Sequence, residues 1–145
     1  DKATVVRLDY RLLLDDRPLY VGSPEVPIFS FRYDSSKTLV SFTGFYFGSF
    51  QKGETVDLLL IEKAGASLYA DGSLVYVFSP EDVNDVRTKK YTPGVIMIKN
   101  TALGYFYDPG QRSLVPIYVF TGSSKQAKTN RALETVTFLS AVAGQ

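Results

Sequence analysis

The side chains that most often carry catalysis or bind transition metals are missing from this sequence. It contains no histidine and no cysteine, which removes the commonest general base, the commonest metal ligand and every thiolate. Only oxygen ligands remain, and these favour calcium or magnesium. Asp82, Asn84 and Asp85 gather such oxygens, but they lack the glycine and the distal glutamate of a calcium-binding loop. We interpret the cluster as the acidic first turn of a helix, and we predict no metal site and no cofactor.

Serine catalysis is not indicated either. Residues 65–69 are similar to a nucleophile elbow, but tyrosine stands where the second glycine belongs. Ser123 and Ser124 precede Lys125, and this tripeptide is typical of a polar turn. No histidine is present to activate a serine as its base. We therefore predict no catalytic residue and expect that the protein is not an enzyme.

Carboxylates leave one enzymatic alternative open. Two carboxylates about 5–9 Å apart can hydrolyse a glycosidic bond. Glu54, Asp57 and Glu62 flank an apolar run, and Asp9 points away from the apolar side of its strand. A carboxylate on the polar side of a strand is normally solvated, and the sequence alone brings no two of these together. A carboxylate-based hydrolase is therefore kept as an alternative.

Neither phosphate nor nucleic-acid recognition is indicated. Residues 48–53 lie between predicted strands, whereas a phosphate-binding loop opens a helix. The 16 basic and 15 acidic residues leave a net charge of +1, so the chain lacks the one-signed field of a nucleic-acid binder. The strongest basic cluster, residues 87–91, follows a predicted helix, where cations favour the C-terminal end. We predict no nucleic-acid partner.

Aromatic residues are the remaining feature of the sequence that could indicate a binding surface. The chain has ten tyrosines, ten phenylalanines and no tryptophan, a profile typical of β-structure. Residues 45–47 and residues 105–107 are aromatic throughout, so both faces of each predicted strand carry rings. Such strands belong either to a sheet covered on both faces or to a surface that meets a partner. A carbohydrate- or cell-wall-binding module with tyrosine platforms is an alternative to a protein partner.

Alternating apolar residues predict strands in the first half of the chain. Residues 5–14 alternate, which indicates a long strand with one buried and one polar face, and residues 19–21 form a short return strand. Residues 29–33 and 39–47 predict two further strands joined by a turn at Asp34. The run at residues 56–61, which is apolar apart from Asp57, predicts a strand buried on both faces.

The second half predicts one hairpin, one helix and four more strand segments. Asp71 and Gly72 predict a tight hairpin turn between residues 67–70 and 73–78, because both turn positions favour positive φ. Ser79 and Pro80 predict the start of a helix that ends before residues 92–94. Further strands are predicted at residues 95–98, 102–107, 114–120 and 134–142.

Pro116 interrupts the ladder that residues 114–120 can form. Proline has no N–H to donate, so we predict that this strand lies at a sheet edge or carries a bulge. An edge strand can accept a partner by strand addition.

The predicted fold class is α+β, a predominantly antiparallel β-sheet with one short helix near residues 80–90. A length of 145 residues suits a single domain over residues 1–145. Similar aromatic hairpins at residues 29–49 and 103–123 leave a duplication as an alternative, with two similar halves at about 1–75 and 76–145.

The second half resembles a family of regulatory domains. A short helix opened by Ser79 leads to an aromatic strand over residues 98–107 and then to Leu114-Val115-Pro116-Ile117-Tyr118-Val119-Phe120. This order resembles the C-terminal portion of YycH/YycI-type proteins and related PepSY-like domains of Gram-positive bacteria. The resemblance covers less than half of the chain.

The resemblance implies a non-catalytic domain outside the cytoplasm that regulates a membrane sensor kinase through protein contacts. It implies a bacterial, cell-surface location and a fragment of a membrane-anchored protein. Together with the aromatic alternation and the edge proline, it makes Tyr105, Tyr107, Pro116 and Tyr118 the expected partner-binding residues. The expected partner is a protein, and the sensor kinase that the resemblance implies is one that is anchored in the membrane.

Overall fold

The computed structural model describes residues 5–68, 74–78 and 91–144. In these ranges the chain is mainly β-sheet with one short helix, which confirms the predicted class at that level. The predicted turn at Asp71 and Gly72 and the predicted helix near 80–90 lie outside the described residues. The elements are β1 (Val6–Tyr10), β2 (Leu13–Leu14), β3 (Arg17–Tyr20), β4 (Phe29–Tyr33), β5 (Leu39–Gly44), α1 (Ile61–Ala66), β6 (Leu74–Phe78), β7 (Met97–Asp108), β8 (Ser113–Lys125) and β9 (Ala132–Ser140).

The chain divides into two compact units, each built from two segments. Unit 1 comprises residues 1–55 and 105–114, and unit 2 comprises residues 56–104 and 115–145. The prediction of a single domain, or of similar halves at about 1–75 and 76–145, stays a prediction.

Unit 1 contains a three-stranded antiparallel sheet in the order β1-β4-β5. The predicted turn between β4 and β5 is confirmed. Its geometry comes from Asp34, whose Oδ1 accepts the backbone N–H groups of Ser36 and Thr38, both at 2.9 Å. Lys37 adopts a φ of 62° and donates its N–H to the Asp34 carbonyl at 3.0 Å. An aspartate that mimics a backbone acceptor in this way is typical of tight turns.

A hairpin and a parallel pair complete unit 1. The predicted long strand over residues 5–14 is divided into β1 and β2, and β2 pairs antiparallel with β3. Strand β3 pairs in parallel with the end of β7, where Leu19 lies opposite Tyr105. Of the buried hydrophobic residues in the described ranges, Leu19 and Ile28 belong to unit 1. This unit therefore has a small interior.

Unit 2 contains the strand order β7-β8-β9-β6. Strands β8 and β9 pair over nine residues, from Ile117 opposite Ser140 to Lys125 opposite Ala132. The helix α1 packs on this sheet through Ala64 and the turn residue Leu68, which form a buried cluster with Phe120. The prediction of two segments at 95–98 and 102–107 is wrong, because β7 runs without interruption through Asn100.

Two buried threonines of β9 carry unpaired hydroxyls. Thr135 and Thr137 are each 1% exposed, and their Oγ1 atoms have no hydrogen-bond partner among the residues that the structure describes. Burying a hydroxyl without a partner costs about 1–3 kcal/mol in protein mutational data. We therefore expect Thr137→Val, which keeps the β-branched shape, to raise the free energy of unfolding by about 1 kcal/mol in urea titration. Thr43→Val on the exposed strand β5 is the matched control and should change it little. A loss of stability in Thr137→Val would contradict the unpaired hydroxyl.

The predicted strand at residues 56–61 is wrong. Leu58 forms an isolated bridge with Val142, and the helix α1 begins at Ile61. Val56, Leu58, Leu60 and Ile61 are exposed, whereas Leu59 alone of this run packs against the buried cluster. This largely apolar run therefore did not indicate burial on both faces, because only Leu59 packs against the buried cluster.

Candidate functional site

An apolar sheet face in unit 1 is the most prominent surface feature of the described residues. Residues that lie opposite one another in antiparallel strands point to the same face. The register places three rows on one side of the sheet: Val6, Tyr33 and Leu39; Leu8, Phe31 and Phe42; and Tyr10, Phe29 and Gly44. We call this set the apolar face. It contains no charged side chain.

The rings of the apolar face form a continuous stripe. Tyr10 meets Phe31 edge-on, with ring centroids 5.7 Å apart. Phe31 lies 4.9 Å from Phe42, and Phe42 stacks on Phe29 at 6.1 Å with an interplanar angle of 14°. These are favourable spacings for aromatic pairs, so the rings fix one another while their outer surfaces remain available.

Gly44 makes room for this stripe at the end of β5. A Cβ atom at position 44 would lie 2.5 Å from Cδ1 of Phe29 and 3.0 Å from the Phe42 ring. The sequence places glycine where the Phe29 ring crosses onto the neighbouring strand. A residue with a Cβ atom would overlap the Phe29 ring here, so glycine permits its close approach.

The apolar face is open to solvent. Leu8 is 42% exposed, Tyr10 51% and Phe42 55%. A sheet normally buries its apolar face against a second layer, and no such layer covers this one within the described part of the chain. The alternation of residues 5–14 was correctly interpreted as a two-faced strand, but the prediction that its apolar side is buried is wrong.

The opposite side of the same sheet is polar. It carries Arg7, Asp9 and Arg32, and Arg7 forms an exposed ion pair with Asp9 at 2.8 Å. Partial burial disfavours the charged carboxylate, but hydrogen bonds from Arg7 and Ser30 outweigh it and hold the pKa of Asp9 below its usual value. The two sides of the sheet therefore differ sharply, and only one of them exposes rings.

A second aromatic cluster lies in unit 1 after β5. Phe47 packs against Phe45 at 6.4 Å, Phe50 at 5.7 Å and Tyr107 at 5.0 Å, measured between ring centroids. Tyr46, in contrast, is 94% exposed. The predicted strand over 39–47 thus ends at Gly44, and the aromatic run at residues 45–47 is divided between an inner ring and an outer one.

The four predicted partner-binding residues fall in different units. Tyr105 and Tyr107 belong to unit 1, and Pro116 and Tyr118 belong to unit 2. All four are partly buried. The Tyr105 hydroxyl accepts a hydrogen bond from Arg17 at 3.3 Å, and Tyr107 packs edge-on against Phe47. Their role in partner binding stays a prediction.

Pro116 marks the end of a ladder rather than a sheet edge. Strand β8 lies between β7 and β9, so the prediction of an edge strand is wrong. Pro116 accepts a hydrogen bond from the N–H of Ala141 at 3.0 Å but has no N–H to return. The Ala141 carbonyl accepts instead from Leu59, at 2.8 Å. The proline thus ends the pairing of β8 with β9, and the Ala141 carbonyl remains to accept a hydrogen bond from the segment before α1.

Tyr118 holds the same segment in place. Its hydroxyl donates to the Leu59 carbonyl at 2.6 Å, and its ring packs on the buried cluster of unit 2. We expect Tyr118→Phe to lower the free energy of unfolding by about 0.5–1.5 kcal/mol, because the carbonyl loses its partner. Urea titration measures the loss, and Tyr33→Phe on the exposed sheet is the control. If both variants match the unchanged chain in stability, the Tyr118 bond contributes nothing.

The residues considered for catalysis are not assembled into a site. Ser67 donates its hydroxyl to the Lys63 carbonyl at 3.1 Å, and Ser124 donates to the Val95 carbonyl at 2.9 Å. Glu54, Asp57 and Glu62 are exposed. Residues 82–85 and 87–90 lie outside the described ranges. Among the described residues, no cluster of three carboxylates able to hold a metal ion is found.

Unit 2 contains an open groove of about 650 Å³. The described residues that line it include Val95, Met97, Lys99 and Lys125, with Glu134 as its one carboxylate. Hydrolysis by a carboxylate pair needs two such groups, and the described residues of this groove supply one. Over the ranges that the structure describes, no helix has both the length and the apolar character needed to cross a membrane.

Comparison with known proteins does not assign this chain to a family. No family model matches it, no curated protein matches it, and no solved structure matches it. The chemistry and geometry of its own surface therefore carry the functional proposal.

Proposed function

We propose that this chain is a non-catalytic binding domain that acts through protein–protein contacts, with the apolar face of β1, β4 and β5 as its contact surface. The exposure of that face is the observation that supports the proposal. Contiguous exposed apolar surface on a folded protein commonly marks an interaction site. The cores of protein interfaces are enriched in tyrosine and phenylalanine and depleted of charge, as this face is.

The chemistry of the face favours a protein over other partners. A nucleic-acid surface needs lysine or arginine beside its rings, and the basic residues of this sheet, Arg7 and Arg32, lie on the opposite side. A location outside the cytoplasm and a membrane sensor kinase as the partner are parts of the proposal that rest on the family resemblance alone.

Capture with matched baits tests the proposal. The unchanged chain, Phe42→Asp and Thr43→Asp are immobilised and exposed to solubilised membranes of the source organism, and bound proteins are identified by mass spectrometry. The two variants add the same charge at adjacent positions of β5 but on opposite faces. We expect the unchanged chain and Thr43→Asp to recover the same protein partner. Recovery by Phe42→Asp should be at least tenfold lower, because a charge would be buried in the contact.

Two results would contradict the proposal. Equal recovery by all three baits would show that the apolar face is not the contact surface. Recovery of wall glycan without protein would favour the carbohydrate-binding alternative. Phe42→Thr removes the ring and introduces a β-branched residue that favours strands, and it replaces Phe42→Asp if circular dichroism shows that the charged variant is unfolded.

A further inference from the structure

We infer that the partner of the apolar face is a second copy of this chain, which stacks its own apolar face on the first to form a two-layered β-sandwich. The inference rests on the proposed function, because it names the occupant of the same surface. Two copies would supply each other with the layer that the sheet lacks.

The absence of charge on the apolar face limits which partners can bind it. All nine residues of the three rows are uncharged, so a partner that presented a charge would bury it without a counter-charge. A membrane surface is typically engaged by an apolar face bordered by lysine and arginine, whereas Arg7 and Arg32 point away from this one. A second copy presents an apolar sheet face without charge, so the two faces can bury each other without burying a charge.

Sheet geometry permits a closed pair. Two sheets stack face to face about 10 Å apart with interdigitating side chains, and a two-fold axis makes the same patch serve both copies. An axis in the contact plane and parallel to the strands places β1 of one copy over β5 of the other. The rows that the register defines then set Val6 against Leu39 and Leu8 against Phe42.

The available area indicates a weak dimer. Val6, Leu8, Tyr10, Leu39 and Phe42 are between 42% and 55% exposed. With about 150–250 Å² for each aromatic side chain and somewhat less for each aliphatic one, they offer roughly 400–500 Å² per copy. Two copies then bury roughly 800–1,000 Å², at or just below the lower limit for a specific interface. We expect a dissociation constant in the micromolar range or weaker.

Sedimentation equilibrium of the whole chain tests the inference. Over about 1 µM to 1 mM, the apparent mass of the unchanged chain should rise from 16.1 kDa towards twice that value. Thr43→Asp should associate equally, and Phe42→Asp should stay monomeric. Phe42→Thr should associate at least tenfold more weakly, which keeps the test valid if the charged variant does not fold.

Cross-linking tests the arrangement of the two copies. The chain has no cysteine, so a single introduced thiol is unique. A mixture of Val6→Cys and Leu39→Cys chains should form a mixed dimer with a short bis-maleimide. A mixture of Arg7→Cys and Ser41→Cys chains, which present their thiols on the polar side, should not. Equal cross-linking in the two mixtures would overturn the face-to-face pair.

The outcomes separate this inference from the proposed function. A chain that stays monomeric up to 1 mM overturns the second copy as occupant. If Phe42→Asp then still abolishes capture of another protein, the proposed function stands with a different partner. If capture is also unaffected, both fall. Co-sedimentation of the monomeric chain with neutral lipid vesicles, lost in Phe42→Asp, would likewise overturn the inference in favour of a lipid surface.

Discussion

Replacing Gly122 by alanine is expected to lower the free energy of unfolding by about 1–3 kcal/mol or more. Gly122 is buried within β8, three residues before its end. A Cβ atom there would lie 2.5 Å from the carbonyl oxygen of Met97, 3.2 Å from its carbonyl carbon and 3.0 Å from Oγ1 of Thr135. The first two atoms belong to the backbone of β7, so a side-chain rotation cannot relieve the overlap and the strands must separate.

Gly65→Ala is the matched control for this prediction. Gly65 lies in α1, and a Cβ atom there would meet nothing within 4 Å. Alanine is favoured over glycine in a helix by about 0.5–1 kcal/mol, so this variant should be slightly more stable than the unchanged chain. Urea titration of both variants measures the difference. A Gly122→Ala chain as stable as Gly65→Ala would show that β7 and β8 are not this close.

Two leucines of unit 1 should respond very differently to truncation. Leu19 is 1% exposed and Leu8 is 42% exposed. Leu19→Ala removes a fully buried side chain and should lower the free energy of unfolding by about 2–5 kcal/mol. Leu8→Ala removes a side chain that already contacts water, and we expect a loss below about 1 kcal/mol in dilute, monomeric protein.

This pair of variants tests whether the apolar face is open. The same side chain is shortened in both, so only its surroundings differ. If Leu8→Ala costs as much as Leu19→Ala in the monomer, Leu8 is covered and the exposed face does not exist. At concentrations where the proposed dimer forms, the cost of Leu8→Ala should increase, because binding stabilises the folded chain by mass action.

Local chemistry explains which parts of the fold could be predicted from the sequence. Strand β4 has the predicted bounds, because apolar and polar residues alternate between two turns. The turn after β7 is equally local, because Asp108 accepts the N–H of Gly110 at 2.8 Å. Asp34 acts in the same way after β4. In each case neighbours in sequence decide the structure.

Tertiary partners explain what could not be predicted. Proline lacks an N–H both at a sheet edge and at the end of a ladder, so the sequence around Pro116 cannot distinguish these positions. The structure distinguishes them through Leu59, 57 residues earlier, whose N–H donates to the Ala141 carbonyl that proline leaves without a donor. The run at residues 56–61 likewise has the pattern of a strand, but only its Leu59 packs against the buried cluster. Both outcomes depend on contacts that are remote in sequence.

The candidate site could be predicted in its composition but not in its exposure. Alternation shows that Val6, Leu8 and Tyr10 share a face, and it cannot show whether another layer covers them. Phe29, Phe31 and Phe42 were accordingly predicted only as strand residues and not as candidates for binding. The one available signal was the alternation of rings with serine and arginine in β4, which indicates two different faces without saying which faces meet a partner.

Hydroxyl-radical footprinting of the rings tests the central claim most directly. Tyr10 and Phe42 should be oxidised readily in the dilute chain, and both should be protected several-fold when the binding partner is present. Tyr46, at 94% exposure and outside the apolar face, should remain reactive throughout and serves as the internal reference. Protection of Tyr10 and Phe42 already in the dilute monomer, or their continued oxidation in the complex at the rate of Tyr46, would contradict a solvent-exposed face that binds a partner.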